Sequence, residues 1–446
     1  MAKHRVGLVW FENDLRTDDH PLLHHAAQEC QQLICLYCVN PKWFQPNRYG
    51  LRSMGELRWQ FLQQSLADLD NQLQTLGQRL FVSYEAPLHA VAKLIAEFGV
   101  DAIYRSHQSG AYERHYFDIV RERYPFLDYV QDDTTTLFER AQLQHIMPSQ
   151  TESFPASFSK FRKYVESNSL RPAIKAPLPA PASLPPKPAR LNCSTFQPPA
   201  TPNENSPFSG GSAAGQQHIE GYFKSNAAQH YKTTRNALDT WQHSTKFSPW
   251  LADGSVSARQ VLAQLDQHEA RQGANESTYW IFFELLWREY FHWYAQHYGN
   301  QVFAAGGIQG HRPTTSFYPG RFQKWCQGNT PYPIVNACMK QLNATGYISN
   351  RGRQLVASCF VHELGLDWRY GAAYFEQQLV DYDVAANWGN WQYLAGVGAD
   401  PRGHRWFDLG KQTAMYDPKR EFIERWQGDD HEQHLDHSDA ADWPIR

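Results

Sequence analysis

Asp383, Asn387 and Trp391 lie four residues apart in DYDVAANWGNWQY, so a helix there stacks a carboxylate, an amide and an indole along one face. An apolar core has no use for an acid and an amide beside tryptophans. A redox cofactor does, because the polar edge of its ring needs directed hydrogen-bond partners while nearby indoles can pass electrons. The plainer alternative is a helix face with a capping Asp and packed aromatics, and this segment alone leaves both open.

Upstream, STYWIFFELLWREYFHWY sets Glu284 and Arg288 four apart on a helix rich in aromatics, with Trp280, Trp287 and Phe291 on the same broad face. An internal i,i+4 ion pair is the common reading, worth a few tenths of a kcal/mol. In apolar surroundings a charged pair costs desolvation, which points to a ligand that uses it. SNRGRQLVAS places Asn350, Arg351 and Arg353 at a helix start. Arg353, permanently charged and planar, suits a buried carboxylate or an anionic ring, with solvated arginines as the alternative. HYKTTRN and STKFSPWLADGSVS supply Tyr231, Arg235, Ser244, Thr245, Lys246 and Ser248 around Phe247. Hydroxyls and cations of this kind can hold a pyrophosphate through side chains and backbone N–H groups, although Ser/Thr clusters also cap helices.

These residues need a scaffold. The chain has 446 residues, too many for one small domain, with 42% hydrophobic and 20% charged residues, the balance of a globular protein. Its 15 Trp and 23 Tyr are enough for stacking surfaces or electron transfer. A net charge of -3 excludes a globally basic nucleic-acid binder but not a local basic groove. In residues 1–135 the runs VGLVWF, LICLYCV, RLFVSY and VDAIYRS alternate with amphipathic stretches, which predicts an α/β domain with a doubly wound parallel sheet. No GxGxxG follows the first strand, and NDLRTDDHPLL reads as a charged turn. Residues 136–209 form a connector whose part from Ser169 to about Pro207 is rich in Pro and Ala, an extended linker without a core of its own. Residues 210–428 are all-α in texture, with Asn275–Tyr298 the clearest helix and Asn275 or Ser277 as its cap. Residues 429–446 are an acidic, histidine-bearing tail read as solvated.

The seven cysteines are scattered, and Cys35 and Cys38 sit inside an apolar strand, so a structural role is expected and no metal site. No secretory leader precedes the first strand and no stretch is apolar enough to span a bilayer. A cytoplasmic location with reduced thiols follows as the expectation.

Taken in order, SPWLADGSVS, FELLWREYF, QGNTPYPIVNA, SNRGRQLVAS, GLDW and DYDVAANWGNWQYLAGVGADPR resemble the helical flavin-binding domain of the photolyase/cryptochrome family. The resemblance covers residues 1 to 428, and NRGRQ, DYD and NWGNWQYLAGVG are most similar to the DASH-type cryptochromes. Ser212 stands where the family often has an acidic residue. The resemblance implies a U-shaped FAD held by Tyr231, Arg235, Ser244, Thr245, Lys246, Phe247 and Ser248, with Tyr231, Thr245 and Ser248 on its phosphates and ribityl chain. It places Glu284 between flavin and damaged base, Arg288 and Arg353 near the cofactor, and Arg353 paired with Asp381. Asp381 and Asp383 would meet the flavin ring and ribityl side, and Asn387 would face N5. Trp391 and Trp368 match the first two tryptophans of the family's photoreduction chain, whereas Thr315 occupies the third position, with Phe317 and Tyr318 nearby. Tyr318 is the candidate substitute.

Trp287 and Tyr393 match the platforms on which a flipped pyrimidine dimer stacks. Duplex photolyases usually carry tryptophan where Tyr393 stands and methionine where Gln354 stands, so both positions follow the DASH pattern and imply preference for single strands. Tyr112 and Glu113 match the region that contacts a folate antenna, 5,10-methenyltetrahydrofolate, while Glu12 replaces the arginine frequent before NDLR. The implied activity is blue-light-driven repair of cyclobutane pyrimidine dimers in single-stranded DNA, with RNA as a further partner, by a monomer. A blue-light photoreceptor is the alternative from another class. A dark flavin oxidoreductase is disfavoured, since no nicotinamide site is recognisable.

Overall fold

The computed structural model describes residues 2–143, 154–155, 157–193, 206–399, 405–430 and 435–436. Strands β1 (His4–Phe11), β2 (Cys30–Cys38), β3 (Leu80–Ser83), β4 (Ala102–Ser106) and β5 (Asp128–Asp132) form one sheet in the order β3-β2-β1-β4-β5. Every neighbouring pair is parallel, and Val9 on the central strand lies between Cys35 and Tyr104. The four expected strands are present. β5 is an additional edge strand that its polar sequence DYVQD conceals. Helices α1 (Pro21–Glu29), α2 (Glu56–Thr75), α3 (Pro87–Phe98) and α4 (Ala111–Arg123) cover the sheet. One core gathers Val9, Leu22, Leu66 and Leu69, the other Trp10, Leu94, Ile103 and Phe117.

Two expectations need correction. The charged segment after β1 is not all turn, because Pro21 starts α1 with a ring already set for the first helical position. The Pro-rich linker crosses the α/β domain as an extended chain, yet it contributes to the core. Leu184 joins the first cluster and Leu191 the second, while the Leu33 and Leu184 amides donate to the carbonyls of Pro186 and Leu76 at 3.0 and 2.8 Å. Residues 194–205 of that linker, and the tail apart from 429–430 and 435–436, lie outside the described residues. Cys35 and Cys38 belong to opposite faces of the sheet, since three residues along a strand reverse the side-chain direction. One ion cannot be held by both.

After β5 the described residues contain helices and no further strand. They are α5 (Phe158–Ser167), α6 (Ser212–Lys224), α7 (Ala227–Thr234), α8 (Ser248–Ala252), α9 (Ala258–Gln272), α10 (Glu276–Tyr298), α11 (Pro319–Gln327), α12 (Pro333–Thr345), α13 (Asn350–Ser358), α14 (Trp368–Gln378), α15 (Val384–Leu394), α16 (Leu409–Tyr416) and α17 (Glu421–Arg425). Asn275, not Ser277, caps α10, in a capping box with Thr278. Among the described residues no helix is long and apolar enough to cross a membrane.

α10 is the spine of this domain, and it meets α7 at its start and α15 along its length. Its Glu289, 1% exposed, accepts the amides of Leu137 and Phe138 at 2.8 and 3.1 Å and the Trp293 indole N–H at 2.7 Å, which fastens the connector to the helix. α15 can approach only because of two glycines. A Cβ on Gly389 would stand 2.3 Å from Phe291 of α10, and one on Gly371 of α14 would stand 2.3 Å from Trp391. The domains are locked by buried charge: Asp19 accepts from Arg259 at 3.0 Å, and Arg16 donates to the carbonyls of Gly254 and Thr134 at 2.9 and 2.7 Å.

Candidate cofactor and nucleic-acid site

α15 begins at Asp383, whose Oδ1 caps the helix by accepting the Ala386 amide at 2.9 Å. Its Oδ2 accepts from His292 Nε2 at 2.6 Å and lies 3.8 Å from the Arg288 guanidinium. Burial pushes the Asp383 carboxyl up, but His292, Arg288 and the cap amide together hold it well below the usual carboxylate range. His292 carries the connection onward, with Nδ1 at 2.9 Å from the Ser109 hydroxyl of the α/β domain. Asp383 thus caps its helix, the role the plainer reading gave it, and also bridges to α10 through His292 and Arg288. His292 went unnoticed in the sequence, although it continues the four-residue spacing of Glu284 and Arg288.

Asn387 stands one turn further along α15 and donates Nδ2–H to the Ala372 carbonyl at 3.0 Å. That bond orients the amide and leaves Oδ1 as its acceptor. Arg353 pairs with Asp381 as expected, one Nη2 reaching both carboxylate oxygens at 3.0 and 2.7 Å while Nε donates to the Ile348 carbonyl at 3.1 Å. Burial opposes the Arg353 charge, and Asp381 and Tyr347 outweigh it.

The i,i+4 pairing of Glu284 with Arg288 is replaced by a different pairing. Arg288 donates to the carbonyls of Thr135 and Leu251 at 2.6 and 3.0 Å, tying two segments to α10. Glu284 instead meets Arg235 at the end of α7, Nη1 to Oε1 at 2.5 Å, with that guanidinium 4.3 Å over the Trp280 ring. Burial raises the Glu284 carboxyl and Arg235 opposes the rise. Tyr231 is buried beside this pair, its hydroxyl held neutral first by burial and then by Glu284.

The segment from Ser244 to Ser248 enters α8. Ser244 and Ser248 both reach the Tyr347 hydroxyl, Thr245 accepts from His218 through its carbonyl at 2.8 Å, and Phe247 is core. Lys246 has φ of +52°, uncommon for a lysine, and is followed by a right-handed residue at Phe247. A left-handed residue next to a right-handed one turns successive N–H groups to one side, the concavity that binds anions.

Trp287 lies one turn beyond Glu284. Its indole stacks on Phe158 at 3.8 Å and 11°, and meets Tyr393 edge-on at 5.9 Å. The Arg405 guanidinium sits 4.4 Å over Tyr393. Gln354 is half-buried beside Arg353 on α13. Trp391 is buried against Trp325, Phe360 and Phe375 at 6.2, 5.6 and 5.2 Å, whereas Trp368 meets Trp388 at 5.8 Å.

Tyr112 and Glu113 line a cavity of about 520 Å³ between the domains, together with Glu12 and Trp388. Tyr112 is exposed and its ring faces Phe303 at 5.4 Å, while Glu113 Oε2 is buried without a partner. Glu12 stands where an arginine was the expectation, and Arg105 supplies the cation from β4 at 2.5 Å. Burial pushes Glu12 up to about 8 against that pull, with Glu113 and Asp14 adding to the rise.

Residues 280–432 match the family model described as the FAD binding domain of DNA photolyase, and residues 7–182 match that of DNA photolyase. A protein named Cryptochrome DASH from Idiomarina loihiensis is 54% identical over 448 residues, covering 100% of this chain and 98% of its own. One of the same name from Vibrio parahaemolyticus is 50% identical, over 99% and 98%. The crystal structure of a Synechocystis cryptochrome superposes with a TM-score of 0.87 at 36% identity, over 95% of this chain and 88% of that one. The chain therefore belongs to the photolyase/cryptochrome family, among the DASH cryptochromes, and is an FAD-binding, photolyase-like protein.

Proposed function

We propose that the protein repairs cyclobutane pyrimidine dimers in single-stranded DNA under blue light. Reduced FAD, when bound, would supply the light-driven one-electron chemistry that opening the dimer ring requires. The observation that carries the reading is the run along α10. Glu284, half-exposed and paired with Arg235, stands one turn from the Trp287–Tyr393 platform on the domain that binds the cofactor. The donor set fits FAD. The Ser244–Ser248 segment offers hydroxyls, a buried ammonium and a left-handed turn to a pyrophosphate, the Arg353–Asp381 pair offers a donor and an acceptor to a ring edge, and Asn387 Oδ1 can accept from a protonated ring nitrogen.

Trp287 and Tyr393 would hold the flipped dimer, and Glu284 in its protonated form would donate a hydrogen bond to its carbonyl. Tyr393 offers less stacking area than an indole, so extrusion from a duplex, a cost of about a few kcal/mol, is poorly offset and an unpaired strand is favoured. Glu113 and Tyr112 would seat a folate antenna, whose amino and ring N–H groups suit the partnerless carboxylate oxygen. All seven cysteines are unpaired, as suits a reducing cytoplasm, and the protein would act there as a monomer.

Photoreduced protein offered a dimer-containing oligonucleotide as single strand, as duplex and as RNA tests the reading. Repair of the single DNA strand at least tenfold faster than the duplex is the expected result. Loss of activity on all three with FAD bound replaces the enzyme by the photoreceptor. A second expectation concerns the cofactor's phosphates. Burial lowers Lys246 to about 8, against a rise from Asp239. A bound phosphate favours the ammonium and raises that value, so binding takes up a proton above pH 8. FAD affinity should be flat below pH 8 and fall up to tenfold per unit above it, as titrated by flavin fluorescence. Lys246→Met should remove the dependence, and an unchanged slope in that variant assigns it elsewhere.

A further inference from the structure

We propose that Trp388 is the outer electron donor of the aromatic chain that begins at Trp391, and that its indole proton leaves through Tyr382 to Glu376. The inference rests on the FAD reading above. The third family position holds Thr315, whose side chain cannot be oxidised at biological potentials. Tyr318, close by in sequence, lies under the Arg321 guanidinium at 4.5 Å, and a cation on its face opposes positive charge in the ring.

From Trp368, the second residue of that chain by family match, ring contacts lead elsewhere. Trp388 is buried one turn before Trp391 on α15, and Trp368 meets it edge-on at 5.8 Å and 76°. Phe303 packs on its far side at 4.9 Å. The Trp388 Nε1–H donates to the Tyr382 hydroxyl at 3.1 Å, and that hydroxyl lies against the Glu376 carboxylate. Burial raises the proton affinity of Glu376 against the pull of Arg58. Trp388, Tyr382 and Glu376 all line the cavity between the domains, so in the folate-free protein a small reductant reaches them without crossing the core. Tyr49 also touches Trp388, at 6.3 Å, but Arg48 sits 4.9 Å over its ring and discourages oxidation beyond Trp388.

Trp388 gives one electron to oxidised Trp368. The Trp388 radical cation releases its Nε1 proton to the Tyr382 oxygen while Tyr382 passes its own hydroxyl proton to Glu376, leaving a neutral tryptophanyl radical and a neutral carboxylic acid. A thiol in the cavity donates a hydrogen atom to Nε1, becoming a thiyl radical, and Glu376 returns its proton to solvent. The sum is one electron delivered inward, one proton released and one thiol oxidised to thiyl.

FAD-loaded wild type, Trp388→Phe, Trp388→Tyr, Glu376→Gln, Tyr318→Phe and Trp391→Phe should be compared by flash absorption and by steady light with a thiol. Trp388→Phe is expected to keep its FAD and its dark reduction by dithionite, to lose the long-lived neutral tryptophanyl spectrum, and to slow thiol-dependent photoreduction at least tenfold. Trp388→Tyr should restore part of the yield, and Glu376→Gln should leave the radical cationic and shorten its life. A wild-type yield of neutral radical in Trp388→Phe, or its loss in Tyr318→Phe, overturns the proposal. Full photoreduction in Trp391→Phe overturns the site reading beneath it.

Discussion

Exchanging Glu284 for alanine should slow dimer repair about ten- to a hundredfold while FAD stays bound. A hydrogen bond to a charged group contributes about 1.5–3 kcal/mol, and each 1.36 kcal/mol is about a factor of ten in rate. In its protonated form, which burial favours, the carboxyl group can donate that bond to the substrate. Its side chain is 32% exposed on the partly open face of α10, one turn from Trp287, and Arg235 occupies only Oε1. The alanine variant leaves Arg235 over Trp280, where its charge stays partly hydrated. The Ser244–Ser248 segment, Arg353–Asp381 and Asn387 are untouched, so flavin absorbance should not change. Glu284→Gln separates two roles. An amide still donates, and recovery of most of the rate would assign Glu284 to hydrogen bonding, whereas a rate as low as alanine's would assign it to proton transfer. The measurement is repair per absorbed photon on a single-stranded dimer, and an undiminished yield in the alanine variant removes Glu284 from the reaction.

The Glu284 pairing also shows what the sequence carried and what it did not. Spacing along α10 put Glu284, Trp287 and Arg288 on one face, and that is where they lie. Which cation reaches Glu284 is decided by packing of α7 against α10, and Arg235 is 49 residues away in the chain. Local periodicity contains no record of such a meeting. The same limit hid the linker's share of the core, since Leu184 and Leu191 are isolated among prolines and bury themselves only because the extended chain lies along the α/β domain. The strands VGLVWF and LICLYCV were legible because both faces of a central parallel strand are buried and the run is continuously apolar. β5 has one neighbour and a half-buried surface, so its polar residues were tolerated and the signal was lost. Trp391 and Trp368 could be read off by motif, but the contact of Trp368 with Trp388 needed the crossing of α14 and α15.

The largest effect on stability should come from Arg353→Ala. Asp381 is 2% exposed in its side chain, and both of its oxygens are held by Arg353. Removing one member of a buried pair costs about 3–5 kcal/mol, because the survivor keeps its desolvation and loses its partner. For a domain of this size that is a fall in Tm on the order of 10 °C. Asp381→Asn should cost less, since Arg353 is 25% exposed and keeps the Ile348 carbonyl. Replacing both, Arg353→Met with Asp381→Leu, removes the two charges together and should recover much of the stability without recovering FAD, if the pair serves the ring edge as proposed. Thermal melts of the FAD-free and FAD-loaded proteins decide it. A loss below about 1 kcal/mol in Arg353→Ala would mean that water screens the pair as it does a surface salt bridge, and that Asp381 is not desolvated at all.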